Sequence, residues 1–326
     1  MTPMSRLSPL EFRRAHVPGA PLTAAGGGVM GDTIERDGAP RAGASFRLLC
    51  SVAVLLTATG CASAPMDQAG TLVSYDRLTP SDGLLAHSRL WVSKNEILAA
   101  KSVRIAPTVF AATSGEAAWS QKQRSLVANA VDRSLCLGLS NRFEVVPLTE
   151  TADLTVHAVI THAAATNQAM AGVSRVVALA PTVFLPGVPA PVPRIPIGLG
   201  SLSLEAEARD ASGAQKAAIV WARGADSFTN APRVASEGDA YELAASFGAD
   251  FSKLLVTGVS PFWKLPSLPS TQSVGVFFGG APKSVACEAF GRDPGVVGFI
   301  AERVGAPPDW TDKGAAPAQP AISSSN

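Results

Sequence analysis

Residues 199–223 read LGSLSLEAEARDASGAQKAAIVWAR, and their pattern decides the fold. Over residues 199–210 apolar and polar side chains alternate. Leu202, Leu204, Ala206 and Ala208 fall on one face, and Glu205, Glu207 and Arg209 on the other. A period of two predicts a strand with one side on a core and the other in water. Asp210-Ala211-Ser212-Gly213 is turn chemistry, because Asp and Ser bond to nearby backbone and Gly tolerates positive φ. Residues 216–223 (KAAIVWAR) then return as the partner strand of a hairpin.

Working outward, residues 153–162 (DLTVHAVITH) predict a further strand, with Leu154, Val156, Ala158 and Ile160 on one face. Residues 142–147 (RFEVVP) predict a short strand, and residues 101–110 (KSVRIAPTVF) the first one, with Val103 and Ile105 inward. Thr113-Ser114-Gly115-Glu116 has the spacing of a capping box and predicts a helix running to about Leu139. Val127, Val131, Leu135 and Leu139 mark its apolar stripe. Ser236-Glu237-Gly238-Asp239 is a second start signal, and the helix after it aligns Ala240, Ala244, Phe247, Phe251 and Leu255. The order predicts an α/β (α+β) domain: a mixed sheet of about five strands with two main helices covering one face. Past Gly258, Pro261, Pro266, Pro269, Pro282 and Pro294 predict an irregular Pro-rich C-terminal extension, with a short helix over 296–304 and disorder from 313 onward.

At the other end, residues 48–60 (LLCSVAVLLTATG) are an apolar run preceded by Arg41 and Arg47 and followed by Cys61. A run this short does not span a bilayer, which takes about 20 residues. Basic residues before it and small residues at its end read as a secretory signal. With cysteine after the cut, the pattern resembles the lipobox of bacterial lipoproteins. Cleavage between Gly60 and Cys61 is expected, with lipid on Cys61. By resemblance to Gram-negative lipoprotein sorting, Ala62 rather than aspartate implies the outer membrane, periplasmic face. Residues 1–46 are rich in Gly, Pro and Arg, unlike a short basic leader, and suggest a start site placed too early or a real extension. The expected organisation is 1–60 extension and signal, 61–71 flexible lipidated tether, 72–258 α/β domain and 259–326 extension.

Removal of residues 1–60 leaves 21 basic and 22 acidic residues, so no strong field would draw nucleic acid or anionic lipid. Cys50 leaves with the signal, and Cys136 and Cys287 remain for an oxidising periplasm. They either pair as a disulfide or stay separate as buried thiols. No Cys-x-x-Cys is present, so redox catalysis and zinc binding lack support. His157 and His162, five apart on one strand, point to opposite faces under regular pleating, which disfavours a shared metal. Gly-x-Ser-x-Gly is absent, and Gly279-Gly280-Ala281-Pro282-Lys283-Ser284 departs from a phosphate loop in its order and in its proline. Glu205 and Glu207 share a face as paired carboxylates do in glycosidases, but a solvated strand face is the simpler expectation. No cofactor and no metal site are expected.

Residues 169–199 carry only Arg175 and Arg194 as charges, with Pro181, Pro186, Pro189, Pro191, Pro193 and Pro196 recurring. The prolines rule out a spanning helix. A long loop folded over the sheet is one reading. The other is an apolar contact surface for a partner, a second copy or the bilayer, formed by Val176, Val177, Leu179, Val183, Phe184, Leu185, Ile195 and Ile197.

Taken in order, GTLVSYDRL (70–78), VRIAPTVF (103–110), RFEVV (142–146), ADLTVHAVIT (152–161) and SLEAEARDASGAQKAAIV (203–220) resemble the bacterial lipoproteins of the domain-of-unknown-function 3313 family. The resemblance covers residues 68–257. It implies an envelope lipoprotein with an α/β domain and supplies no catalytic residues. The apolar insertion at 169–198 and the tail after 258 depart from the pattern. The expected function is a non-catalytic periplasmic lipoprotein, membrane-bound through its lipid and acting as an interaction module for an envelope protein partner. A small-molecule or lipid binder is the alternative, and a hydrolase the third reading. A binder should show a deep apolar cavity under the proline-rich segment, a scaffold an exposed apolar patch, and a hydrolase two polar side chains converging in a cleft.

Overall fold

In a computed structural model the described residues are 63–112, 114, 119–184, 194–262, 271–312 and 314. Along the chain run β1 (Thr79–Pro80), β2 (His87–Val92), α1 (Lys94–Ala99), β3 (Ser102–Ile105), β4 (Val109–Phe110), α2 (Gln121–Leu139), β5 (Glu144–Val145) and β6 (Leu154–Ala164). After these come α3 (Gln168–Phe184), β7 (Ser201–Asp210), β8 (Gln215–Gly224), α4 (Gly238–Thr257), α5 (Thr271–Phe277) and α6 (Gly295–Arg303), with short 3₁₀ turns at Val285–Phe290 and Pro308–Trp310.

The class is the expected mixed α/β one, but among the described residues the sheet has eight strands, ordered β1-β2-β8-β7-β6-β3-β5 with β4 also pairing β6. The β7–β8 hairpin is antiparallel, and so are its outer pairings to β6 and β2. β3 pairs with β6 and β5 in parallel. Extra strands come from two sources. HSRLWV forms β2, which the flanking Pro80 and Gly83 disguise as irregular. KSVRIAPTVF breaks at Pro107 into β3 and β4, because proline cannot donate to a ladder.

Helix α2 starts at Gln121, later than the Thr113–Glu116 spacing predicts, and Thr113 and Glu116 lie outside the described residues. Ser120 accepts from the Gln123 N–H, while the Gln123 side chain accepts from the Ser120 N–H, so the capping box sits at 120–123. Helices α2 and α4 cover one face of the sheet. Val127, Val131, Leu135, Leu139, Phe247, Phe251 and Leu255 meet Leu202, Leu204, Ala206, Ala208, Ile219 and Trp221 in one core. Burying each large apolar side chain contributes about 1.5–3 kcal/mol. The helices approach closely at two glycines. A Cβ on Gly138 would lie 2.0 Å from Ser252 Oγ, and one on Gly248 would lie 2.5 Å from Ser134 Cβ.

The expected long loop at 169–199 is corrected in its first half, which is helix α3. Asn167 caps it, its side chain accepting from the Met170 N–H at 3.1 Å. The prolines cluster from 181 onward, leaving 168–180 free to wind. Among the described residues no helix is long and apolar enough to cross a membrane.

The described residues of the C-terminal extension are built onto the domain, and the disorder expected from 313 onward falls, apart from Gly314, outside the described residues. A disulfide joins Cys136 of α2 to Cys287, and the buried Arg133–Asp312 ion pair at 2.5 Å holds Asp312. The helix expected over 296–304 is α6.

Candidate functional site

Three places have the makings of a site: the sheet face opposite the helices, the Ser201 end of β7, and a groove beside α4. The first is organised by Glu205 and Glu207. Both sit on the outward face of β7, yet they are 0% and 1% exposed. The solvated-face expectation is therefore corrected, and the cover is the lead-in, residues 65–78. Glu205 accepts from Ala69 N–H at 3.1 Å, Thr71 N–H at 2.8 Å, the Thr71 hydroxyl and the Tyr75 hydroxyl at 2.7 Å. Glu207 accepts from Val73 N–H at 2.9 Å, Gln215 at 2.7 Å and Arg209. Ser203 donates to the Pro65 carbonyl at 2.5 Å. Leu72 and Leu78 cap the same face over Ala218 and Val220. Burial and the bond to Glu205 push the Tyr75 hydroxyl up to about 12. Residues 65–71, expected to be a flexible tether, are thus held as an added layer. Both carboxylates spend their acceptor capacity on protein donors and have none aimed at a substrate.

The histidine expectation is also corrected. The β6–β7 register shifts between Ile160 and His162, so His157 pairs with Glu207 and His162 with Ser203, two positions of the same parity. The bulge puts both histidines on the carboxylate face. Four residues of β7 still separate their partners, about 13 Å of strand, too far for one metal. Burial, with Arg209 nearby, holds His157 below the usual imidazole range. Among the described residues no cluster of His, Cys, Asp or Glu could hold a metal ion.

At the Ser201 end of β7 lies the predicted contact segment. Val176 and Val177 are exposed on α3, Ile197 is exposed, and Ile195 is half-buried with its N–H on Ser174 Oγ at 3.3 Å. The side chains of Leu179, Val183, Phe184 and Leu185 lie outside the described residues, as do Gly60 and Cys61. Residues 194–200 are pinned from below: Arg194 pairs with Asp239 at 2.5 Å, both buried, and Asp239 also accepts from Gly200 N–H at 2.7 Å.

The third place is an open groove of 1080 Å³ between α2, α4 and α6. Its lining includes Arg223, Arg233, Glu242, Asp250, Lys253 and Glu302. Among the described residues, none of 169–199 lines it, so the described lining does not make it a cavity under the proline-rich segment. Burial, reinforced by Glu302 and opposed by Arg233, pushes Glu242 up to about 7. Burial also raises Asp250, against the indole N–H of Trp221 that donates to it at 3.0 Å. The two acids stand eight residues apart on one helix, about 12 Å along its axis. That exceeds the carboxylate spacing that acts on one glycosidic bond. The sequence did not reveal this groove, because its walls α2, α4 and α6 are far apart in the chain and meet only in the fold. The perturbed acids Glu242 and Asp250 carry no local motif.

The model of a family described as "Protein of unknown function (DUF3313)" matches residues 67–251. Curated proteins yield no match. Among solved structures, the PelC dodecamer from Paraburkholderia phytofirmans is similar over 53% of this chain and 99% of that one, at 10% identity and a TM-score of 0.31. A DUF4136 family protein from Bacteroides thetaiotaomicron VPI-5482 is similar over 55% of this chain and 100% of that one, at 11% identity and a TM-score of 0.27.

Proposed function

The chain belongs to the DUF3313 family of proteins of unknown function, and from that premise we propose that it is a lipid-anchored periplasmic protein of the outer membrane that works by contact rather than catalysis. The lipobox pattern ending at Cys61 supplies the anchor. The observation that carries the reading is the clamped lead-in. Cys61 precedes Pro65, the first residue held by β7, by four residues. Four residues reach at most about 14 Å. A lipid on Cys61 would therefore hold the domain against its leaflet rather than trail it on a long leash. The helical layer and the C-terminal extension then face a protein partner in the envelope. Palmitate labelling of the mature protein tests the anchor, as does the membrane fraction of Cys61→Ser. Unlabelled protein, or a serine variant that stays on the membrane, overturns it. Crosslinking from the helical layer in intact cells tests for the partner.

The groove favours a second reading, a binder of small molecules. Its lining sets arginines, acids and hydroxyls among apolar side chains such as Leu137, Val256, Phe277 and Phe299, which suits a small solute that carries hydrogen-bonding groups on an apolar frame. Saturable solute binding that Arg223→Ala abolishes would support it.

A further inference from the structure

The lead-in has a direction. From Val73 back to Pro65 it passes Glu207, Glu205 and Ser203 in turn, so it heads for the Ser201 end of β7. Helix α3 departs from that same end, where Asn167 N–H donates to the Gly198 carbonyl at 2.8 Å. Two further bonds lay three segments side by side. Ile195 N–H reaches Ser174 Oγ on α3, and Arg194 N–H reaches the Ser227 carbonyl at 2.8 Å. Each of the three segments exposes apolar side chains. Val176 is 70% exposed and Phe228 75%, and Val173, Val177 and Ile197 are exposed as well. Arg175, the cation of α3, is turned inward, its guanidinium donating to the carbonyls of Pro232 at 3.2 Å and Glu302 at 2.5 Å.

We propose that this surface, the outer side of α3 with Ile197 and Phe228, lies in the interfacial layer of the leaflet that receives the Cys61 lipid. The inference rests on the anchor reading above. Ser63 is two residues from Cys61, at most about 7 Å of chain, so the acyl chains draw this end of the sheet to the headgroups first. A 17-residue helix is too short to cross the membrane and lies along it instead. With no cation on its outer side, the contact is hydrophobic and does not depend on anionic lipid. The lipid thioether and the helix together make a two-point attachment that fixes the orientation of the domain.

The test uses the full chain in vesicles of phosphatidylethanolamine and phosphatidylglycerol. With Cys61 acylated and Cys136 bonded to Cys287, Val176→Cys carries the one free thiol of the mature protein, and Ala211→Cys in the far hairpin turn is its control. Each is labelled with a polarity-sensitive fluorophore, and nitroxide lipids are added as quenchers. The expected result is blue-shifted, lipid-quenched emission at 176 and water-like emission at 211. Water-like emission at both sites, on protein that floats with the vesicles, overturns the α3 contact and leaves the anchor standing. Blue-shifted but unquenched emission at 176 means a protein surface, such as a second copy, covers the helix, and also overturns it. Failure to float, or a second label on Cys61 itself, overturns the anchor and this contact together.

Discussion

The Tyr75 hydroxyl donates to the buried Glu205 carboxylate at 2.7 Å, tying the lead-in to the middle of the sheet across 130 residues of sequence. A carboxylate placed at the centre of a strand face normally needs water. Here backbone and hydroxyl donors from residues 69–75 replace that water. The lead-in and the carboxylate therefore depend on one another: each would be unsatisfied without its partner.

Substitution Glu205→Ala removes the acceptor for two backbone N–H groups and two hydroxyls. Hydrogen bonds to a charged group are worth about 1.5–3 kcal/mol each, and the released segment recovers water for most of them. The expected loss is about 2–4 kcal/mol in urea unfolding, with faster amide exchange over 69–73. Tyr75→Phe, which removes one of these bonds, should lose about 1.5–3 kcal/mol. Unchanged exchange at 69–73 in Glu205→Ala would show that Leu72 and Leu78 hold the segment by themselves.

The disulfide between Cys136 and Cys287 spans 151 residues. In the chain-entropy model a loop of that length contributes about 5 kcal/mol. The paired Cys136→Ser, Cys287→Ser variant should unfold at lower urea and be clipped faster within 271–303. Arg133 and Asp312 remain paired in it, so cleavage after 305 should change less. Uniform protection of the extension in the double variant would show that packing suffices.

How much of this was legible in the sequence depended on whether the signal was local. Alternation in 199–210 placed Leu202 and Leu204 on the core, and the stripe Val127–Val131–Leu135–Leu139 did the same for α2. Alternation names a face but not its cover, so Glu205 and Glu207 looked solvated while residues 65–78 lay over them. The bulge beside His162 shifts parity by one and leaves no composition mark. Asn167 caps α3, but the prolines from 181 onward gave the segment the look of a loop. Whether Cys136 meets Cys287 turns on a distance across the fold, which spacing alone does not fix.

Stability should fall as pH rises from about 4.5 to about 7. Burial, aided by Glu302, lifts Glu242 to about 7, and burial lifts Asp132 to about 7 against the bonds from Thr108. A carboxyl whose folded pKa is raised binds more protons folded than unfolded across that window. Its favourable contribution is full below its unfolded pKa and is lost as pH climbs through the folded value. Asp210, held down to about 2 by Ser212 and its neighbours, acts only at lower pH, as do Glu96 and Asp153; His157, held low by burial, works the other way and offsets part of the fall as pH climbs through the imidazole range. The urea midpoint should therefore be lower at pH 8 than at pH 5, and Glu242→Gln should shrink the difference by about 1–2 kcal/mol. An identical drop in the variant would remove Glu242 as its source.

The close approach of α2 and α4 gives a sharper test of packing. A Cβ on Gly248 would meet Ser134 Cβ at 2.5 Å and the Leu135 N–H nitrogen at 3.0 Å, so neither neighbour can yield by a rotamer change. Gly248→Ala should gain about 1 kcal/mol of helix propensity and lose more to overpacking, for a net destabilisation of about 1–2 kcal/mol. Ser134→Gly opens the space that the new methyl needs, although it gives up a hydroxyl that donates to the Ala245 carbonyl at 2.8 Å. The two changes together should be less damaging than their sum, with a coupling of at least about 1 kcal/mol in a double-mutant cycle. Additive effects would mean that the helices separate to admit the methyl. In that case the groove beside α4 should change its volume, and solute binding there should change with it.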